Sequence, residues 1–192
     1  VGWAGVVGTL SGMNIEGISV GDTTSWTSEM NIAGVPYFFL VRSVIQYADS
    51  IDAALWIFEN TPKTAGFTHV VSDAKIPEAK VIEISAEHVA VRSINPCQPT
   101  PPQTIHTSNH YECREMIPGQ AEAYGIPWNP NWPVCVWLDF VRQADRRFDR
   151  YNQLLNKYYG ELTVPKAIRI LRDRYDLFDV ETSLSVGWSF TF

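Results

Sequence analysis

The sequence predicts an α+β fold in which antiparallel strands and helices occupy separate layers. Three observations predict it. Strand-type runs around glycines open the chain, two helical patterns lead into a meander of short strands, and further helical patterns follow the last strand. That order lacks the strand-helix alternation of a parallel βαβ repeat. At 192 residues the chain reads as one domain, 1–192, because a single core stays workable up to about 250 residues.

The elements follow in chain order. Residues 4–22, AGVVGTLSGMNIEGISVGD, place β-branched residues on either side of a turn-like Met13-Asn14-Ile15-Glu16-Gly17, which predicts a hairpin. From Pro36 to Ala48 apolar residues recur at helical spacing, with Phe39, Leu40, Val44 and Tyr47 able to share a face. Ser50 offers an N-cap for a second helix through Asn60, which Thr61-Pro62 ends. Strands are expected over Phe67–Ser72, Lys80–Ser85 and Glu87–Ser93, separated by the turn Asp73–Pro77 and the tight link Ser85-Ala86-Glu87.

Asn95–Pro102 is too rich in proline for a ladder, and Thr104–Thr107 is expected to add a short strand. Pro118–Pro133, rich in Pro, Trp and Asn, reads as a long surface loop or lid. One long helix is expected over Trp137–Tyr159, ending at Gly160, then a shorter one capped by Thr163 and running to Arg172 with Pro165 in its first turn. Leu184–Phe192 looks like a strand, and with Val1 at the other end both termini read as cut or processed.

Composition narrows the function. A formal charge of −6 argues against nucleic acid or an anionic membrane, both of which need a basic patch. No apolar run approaches the ~20 residues of a membrane span, so a soluble body and a small-molecule partner are expected. The glycines at 5, 8, 12 and 17 form neither a phosphate loop nor a dinucleotide fingerprint, and no cofactor is expected. Ser11, Ser19 and Ser25 lack the Gly-x-Ser-x-Gly elbow.

Two histidines and a cysteine crowd into His106–Cys113, but a strand running into a loop would not set them on one face, and no metal site is predicted there. Three cysteines are too few and too unevenly spaced for a disulfide framework. Cys135 reads as a small buried residue and Cys97 as part of a proline loop, which leaves Cys113 as the least implausible thiol. Asp22, Asp73 and Glu83 are expected to be solvated or to cap turns.

Four pieces occur in one order: GWAGVVGTLSGMNIEGISVGD, GVPYFFLVRSVIQYADSIDAALWIF, FTHVVSDAKIPEAKVIEIS and TSNH. In that order and spacing they resemble the isopenicillin N acyltransferase (acyl-CoA:6-aminopenicillanic acid acyltransferase) family of N-terminal-nucleophile hydrolases over roughly the first 115 residues. The matching positions are Gly5 through Gly17, Gly34 through Ile57 with Arg42, Phe67 through Ser85, and Ser108-Asn109-His110.

The resemblance implies a four-layer αββα sandwich, incomplete here at its N-terminal side. It also implies an autoprocessing cysteine-type amide hydrolase or acyltransferase, in which self-cleavage frees an N-terminal cysteine that attacks an amide or thioester carbonyl with its own α-amino group as base. By position, Asn109 matches the family asparagine that donates to the oxyanion or holds the α-amino group, although an asparagine there also shapes turns. Thr23 and Thr24 lie where relatives place a second polar oxyanion residue.

None of Cys97, Cys113 or Cys135 matches the nucleophile's position, so the nucleophile is expected outside this chain, on a companion piece. A different class of reading also stands. A noncatalytic domain of this fold would bind an apolar ligand or protein partner through Trp128 and Trp132 of the Trp/Pro-rich loop, with His110 nearby.

Overall fold

A computed structural model of the chain describes residues 4–97, 100–142 and 146–173. It is α+β. Five strands, β1 (Gly12–Met13), β2 (Ile18–Thr24), β3 (Phe67–Asp73), β4 (Glu78–Ile84) and β5 (Val89–Arg92), form one antiparallel sheet in the order β1-β2-β3-β4-β5. The hairpin, the meander and the two helices between them stand as the sequence indicates, with β2 two residues longer.

The hairpin turn is fixed by Asn14 and Gly17. Gly17 takes a φ of 83°, which a side chain would strain, and the Asn14 carbonyl accepts from its N–H at 3.3 Å. The Asn14 side chain then reaches across the molecule, donating to the carbonyls of Ile45 (3.2 Å) and Ala48 (2.8 Å) at the end of α1 (Tyr37–Tyr47). Those are orphan carbonyls of a helix C-terminus, so Asn14 both shapes the turn and caps the helix. Arg42 of α1 donates to the Val7 carbonyl. These two residues of the hairpin-helix pattern act by holding the hairpin to α1.

Helix α2 (Ile51–Asn60) begins as expected, with Ser50 Oγ accepting from the Ala53 N–H at 3.2 Å. At its other end the buried Lys63 ammonium donates to the carbonyls of Phe58 (3.2 Å) and Thr61 (3.4 Å), a cation placed where the helix dipole favours one. Both helices cover one sheet face. Leu40, Val41, Val44, Ala54 and Phe58 pack there against Ile18, Val20, Val71, Ile82 and Ile84. The face of α1 is rotated from the expected one: Val41 replaces Phe39 and Tyr47, which are exposed.

The opposite face carries Thr23, Thr68, Val81, Glu83, Ala90 and Arg92. Its β4–β5 end is covered by residues 106–116, whose Tyr111, Cys113 and Met116 pack on Ala90. Gly66 lets this layer close up. A Cβ there would stand 2.1 Å from the Ser25 carbonyl and 2.4 Å from the Tyr111 hydroxyl.

Several expectations change in the C-terminal half. Thr104–Thr107 forms no strand: the Thr104 N–H turns back to the Pro101 carbonyl at 3.2 Å, and the His106 carbonyl accepts from the Arg92 side chain at 3.1 Å. The expected loop from Pro118 shrinks, since a 3₁₀ turn, η1 (Arg114–Met116), leads into α3 (Ile117–Tyr124), which tolerates Pro118 in its first turn and ends on left-handed Gly125. Of the helix expected over Trp137–Tyr159, α4 (Val134–Arg142) and α5 (Arg146–Lys157) are described, α4 beginning three residues earlier than expected, and 143–145 lie outside the described residues. α6 (Val164–Leu171) has Pro165 as expected, but Thr163 makes no side-chain cap. The strand expected over Leu184–Phe192 lies outside the described residues.

Cys97 and Cys135 form a disulfide, which ties the segment after β5 to α4. This corrects the reading of both as isolated residues. Among the described residues no helix is long and apolar enough to cross a membrane.

Candidate functional site

Residues 106–113 are anchored by charges buried under the second sheet face. Arg92 stands on β5 opposite Val81, beside Glu83 of β4, and its Nε donates to Glu83 Oε1 at 3.1 Å. Its other nitrogens reach Glu112 Oε1, Asn95 Oδ1 and the His106 carbonyl, the last at 3.1 Å. Glu83 also accepts from the backbone N–H groups of Glu112 and Cys113, at 3.0 Å each. One guanidinium thus serves two carboxylates that are at most 2% exposed, which corrects the reading of Glu83 as solvated.

His106 is buried as well, its Nδ1 2.7 Å from Asn95 Nδ2 and its ring 4.3 Å from Phe148 of α5. His110 turns inward, with Nδ1 3.2 Å from Ser108 Oγ and its ring edge-on to Phe148. Among the described residues, His106, His110 and Cys113 are not grouped within ligand distance of one another.

Between these anchors Asn109 faces the end of β2. Its Nδ2 donates to the Thr24 carbonyl at 2.7 Å, and its Oδ1 accepts from Arg147 of α5 at 2.6 Å. The carboxamide is therefore oriented from both ends: its oxygen meets a cation and its nitrogen meets a carbonyl. Asn109 and Thr24, 85 residues apart in sequence, are brought together, while Thr23 points to the other side of the strand, opposite Thr68. Arg147 was not singled out from the sequence, where it sits in a run of charges on an expected helix surface.

Directly behind Thr24, Asp22 pairs across the strands with His69 on the helix-facing side. Directly opposed residues of an antiparallel pair stand about 5 Å apart at Cβ. His69 is wholly buried, stacked on Phe58 at 4.6 Å, and neither ring nitrogen has a hydrogen-bond partner. Burial pushes its pKa down to about 3. Burial likewise raises the Asp22 carboxyl to about 7, and raises the Tyr37 phenol, with the Asp22 charge adding to it. Asp22 is thus not the solvated carboxylate expected. Asp73 does cap its turn, accepting from the Lys75 N–H at 2.9 Å.

The cysteines do not offer a nucleophile. Two are joined, and Cys113 is buried, with desolvation first and the Glu83 charge second pushing its thiol far above the ordinary range. Trp128 and Trp132 are half-buried rather than open. Trp128 meets Trp137 edge-on at 6.2 Å, Trp132 stacks on Phe140 at 6.4 Å, and Arg114 donates to the Trp132 carbonyl at 3.0 Å. These contacts close a small core of Ile117, Ala121, Trp137, Leu138 and Val141.

Comparison with known proteins adds a family. The family described as "Acyl-coenzyme A:6-aminopenicillanic acid acyl-transferase" matches residues 1–187. An Archaeoglobus fulgidus protein described as uncharacterized is 24% identical over 172 residues, covering 87% of this chain and 28% of its own. Two Dictyostelium discoideum proteins, dcd1A and dcd1B, are 32% and 29% identical over 90 residues, covering 46% of this chain and 20% and 18% of theirs. The chain thus spans under a third of the length of each of these relatives.

Proposed function

Because the chain belongs to the acyl-coenzyme A:6-aminopenicillanic acid acyl-transferase family, we propose that its protein is an acyltransferase or amide hydrolase whose site lies at the end of β2, around Asn109. The substrate is a small-molecule amide or acyl thioester. The observation that carries this reading is the Asn109 carboxamide, held between the Thr24 carbonyl and the Arg147 guanidinium on a segment fixed by buried charges.

The nucleophile is an N-terminal cysteine that self-cleavage frees in a part of the protein outside these residues. Support comes from the cysteines present, two locked in a disulfide and the third buried with a raised pKa. Its thiolate forms a bond to the substrate carbonyl carbon, and the tetrahedral oxyanion collapses by breaking the bond to nitrogen or sulfur. The departing amine or thiol leaves with a proton supplied by the nucleophile's own α-ammonium group. Water or an acceptor amine then attacks the acyl-enzyme and returns the thiol. Asn109 stabilises this sequence by donating to the oxyanion or holding the α-amino group, and Thr23 and Thr24 flank the same strand end.

A second sheet, completing an αββα sandwich, packs on the uncovered half of the face that bears Ser19, Gly21, Thr23, Val70 and Ser72. Those residues are small or short, and only partly covered. The test uses the full-length protein with acyl-coenzyme A thioesters and N-acyl amides. Asn109→Ala is expected to lower kcat by about 100-fold, the scale of a lost oxyanion donor. Unchanged turnover in a folded Asn109→Ala protein would refute the placement.

A further inference from the structure

The geometry points to a divalent transition-metal site, of the kind zinc occupies, made by Glu29, Glu87 and His88 at the tip of the β4–β5 connection. One ligand atom from each lies within 4.8 Å of the others, a spacing at which a single ion can touch all three. The site is mixed in chemistry. An imidazole beside two carboxylates is a borderline donor set that suits zinc or manganese better than calcium, which takes oxygen ligands alone.

Two separate chain segments build it. Glu29 belongs to the loop between β2 and α1, and the other two ligands belong to the turn. The Glu29 carbonyl accepts from the Ala86 N–H at 3.2 Å, which fixes the two segments against each other before any side chain is considered. Ser85 Oγ accepts from the N–H groups of Glu87 (3.2 Å) and His88 (2.9 Å), so the turn carrying both ligands has a defined shape. The same hydroxyl donates to Glu29 Oε2 and orients that carboxylate, the kind of outer contact that metal ligands commonly have.

Glu29 is also backed by α3. A Cβ at Gly119 would come 3.0 Å from its carboxylate carbon, so the side chain lies between α3 and the turn. His88 Nδ1 stands 2.9 Å from Glu29 Oε2. In the bare protein this contact is an ion pair or a neutral hydrogen bond, and an ion bridging the two replaces it without moving either segment. The bound ion is structural: it clamps the loop leaving Thr24 to the β4–β5 turn, and protein ligands to three positions leave the rest to water.

Calorimetric titration of the tag-free, metal-stripped protein with zinc chloride at neutral pH tests this, with manganese and calcium chloride in parallel. Zinc is expected to bind with one-to-one stoichiometry and to raise the melting temperature, and calcium to bind much more weakly. His88→Ala and Glu87→Gln, both at exposed positions, are each expected to weaken zinc by at least tenfold and to abolish the thermal shift. Failure of zinc to bind, calcium binding as tightly as zinc, or zinc binding unaltered in both variants overturns the site and leaves the Glu29–His88 contact as an ion pair only.

Discussion

At the residue scale two strongly perturbed groups, Asp22 and His69, face each other from adjacent strands. Unfolded at pH 5, the aspartate is ionised and the histidine protonated. Folded, with pKa values near 7 and 3, the aspartate holds the proton and the histidine is neutral. Both states bind one proton, so the pair contributes almost no pH dependence between about 4 and 6.5. Single substitutions unmask it. Asp22→Asn leaves only the histidine, whose depressed pKa contributes stability present above about 6.5 and lost as pH falls toward 3. His69→Phe leaves only the aspartate, whose raised pKa contributes stability present below about 4 and lost as pH rises through 7. Urea unfolding at pH 5 and pH 8 is expected to show Asp22→Asn more stable at pH 8 and His69→Phe more stable at pH 5, relative to wild type. Slopes of the same sign in both variants would contradict the account. Neither residue announces itself in the sequence. Asp22 ends a glycine-flanked run that looks like a turn, and it is desolvated by its place on the helix-covered face of the sheet, opposite His69.

At the element scale the segment 106–113 holds its shape without a strand ladder. Thr104–Thr107 alternates like a strand, yet the nearby backbone groups are met by side chains of β4 and β5, with Glu83 taking two N–H groups and Arg92 a carbonyl. Such a device is illegible in sequence because Glu83, Arg92, Asn95 and Glu112 are brought together by the sheet and not by spacing. Arg92→Met would leave two carboxylates buried without their cation, at a cost on the order of 3–5 kcal/mol. Hydrogen exchange of 106–113 is expected to accelerate with that loss, and a stability within 1 kcal/mol of wild type by urea unfolding, a margin set by ordinary surface changes of roughly 0.5 kcal/mol, would show that the network does not hold the segment. The hairpin, both N-terminal helices and the meander were legible because their caps, turns and periods are local: Ser50 for α2, Asn14 and Gly17 for the hairpin. Helix α3 was hidden by Pro118, which a first turn accepts, and the Cys97–Cys135 disulfide by a 38-residue separation that gives no local signal.

At the scale of the whole molecule, one helix-backed sheet presents a face that is sealed at its β4–β5 end by buried charge and only partly covered toward β2. The resemblance in the sequence pointed to Asn109 and Thr24, which the fold brings into contact at that β2 end, while the Arg147 contact is visible only with α5 in place. Much of what the pattern marked in the first helix and hairpin proved to be packing, as Asn14 and Arg42 show. The proposed chemistry takes its nucleophile from outside these residues. Intact mass and N-terminal sequencing of the natively expressed full-length protein test that claim most directly. The account predicts a cut that leaves a second polypeptide beginning with cysteine, and loss of the cut when that cysteine is replaced by alanine. A single uncut polypeptide that turns over acyl substrates would contradict it.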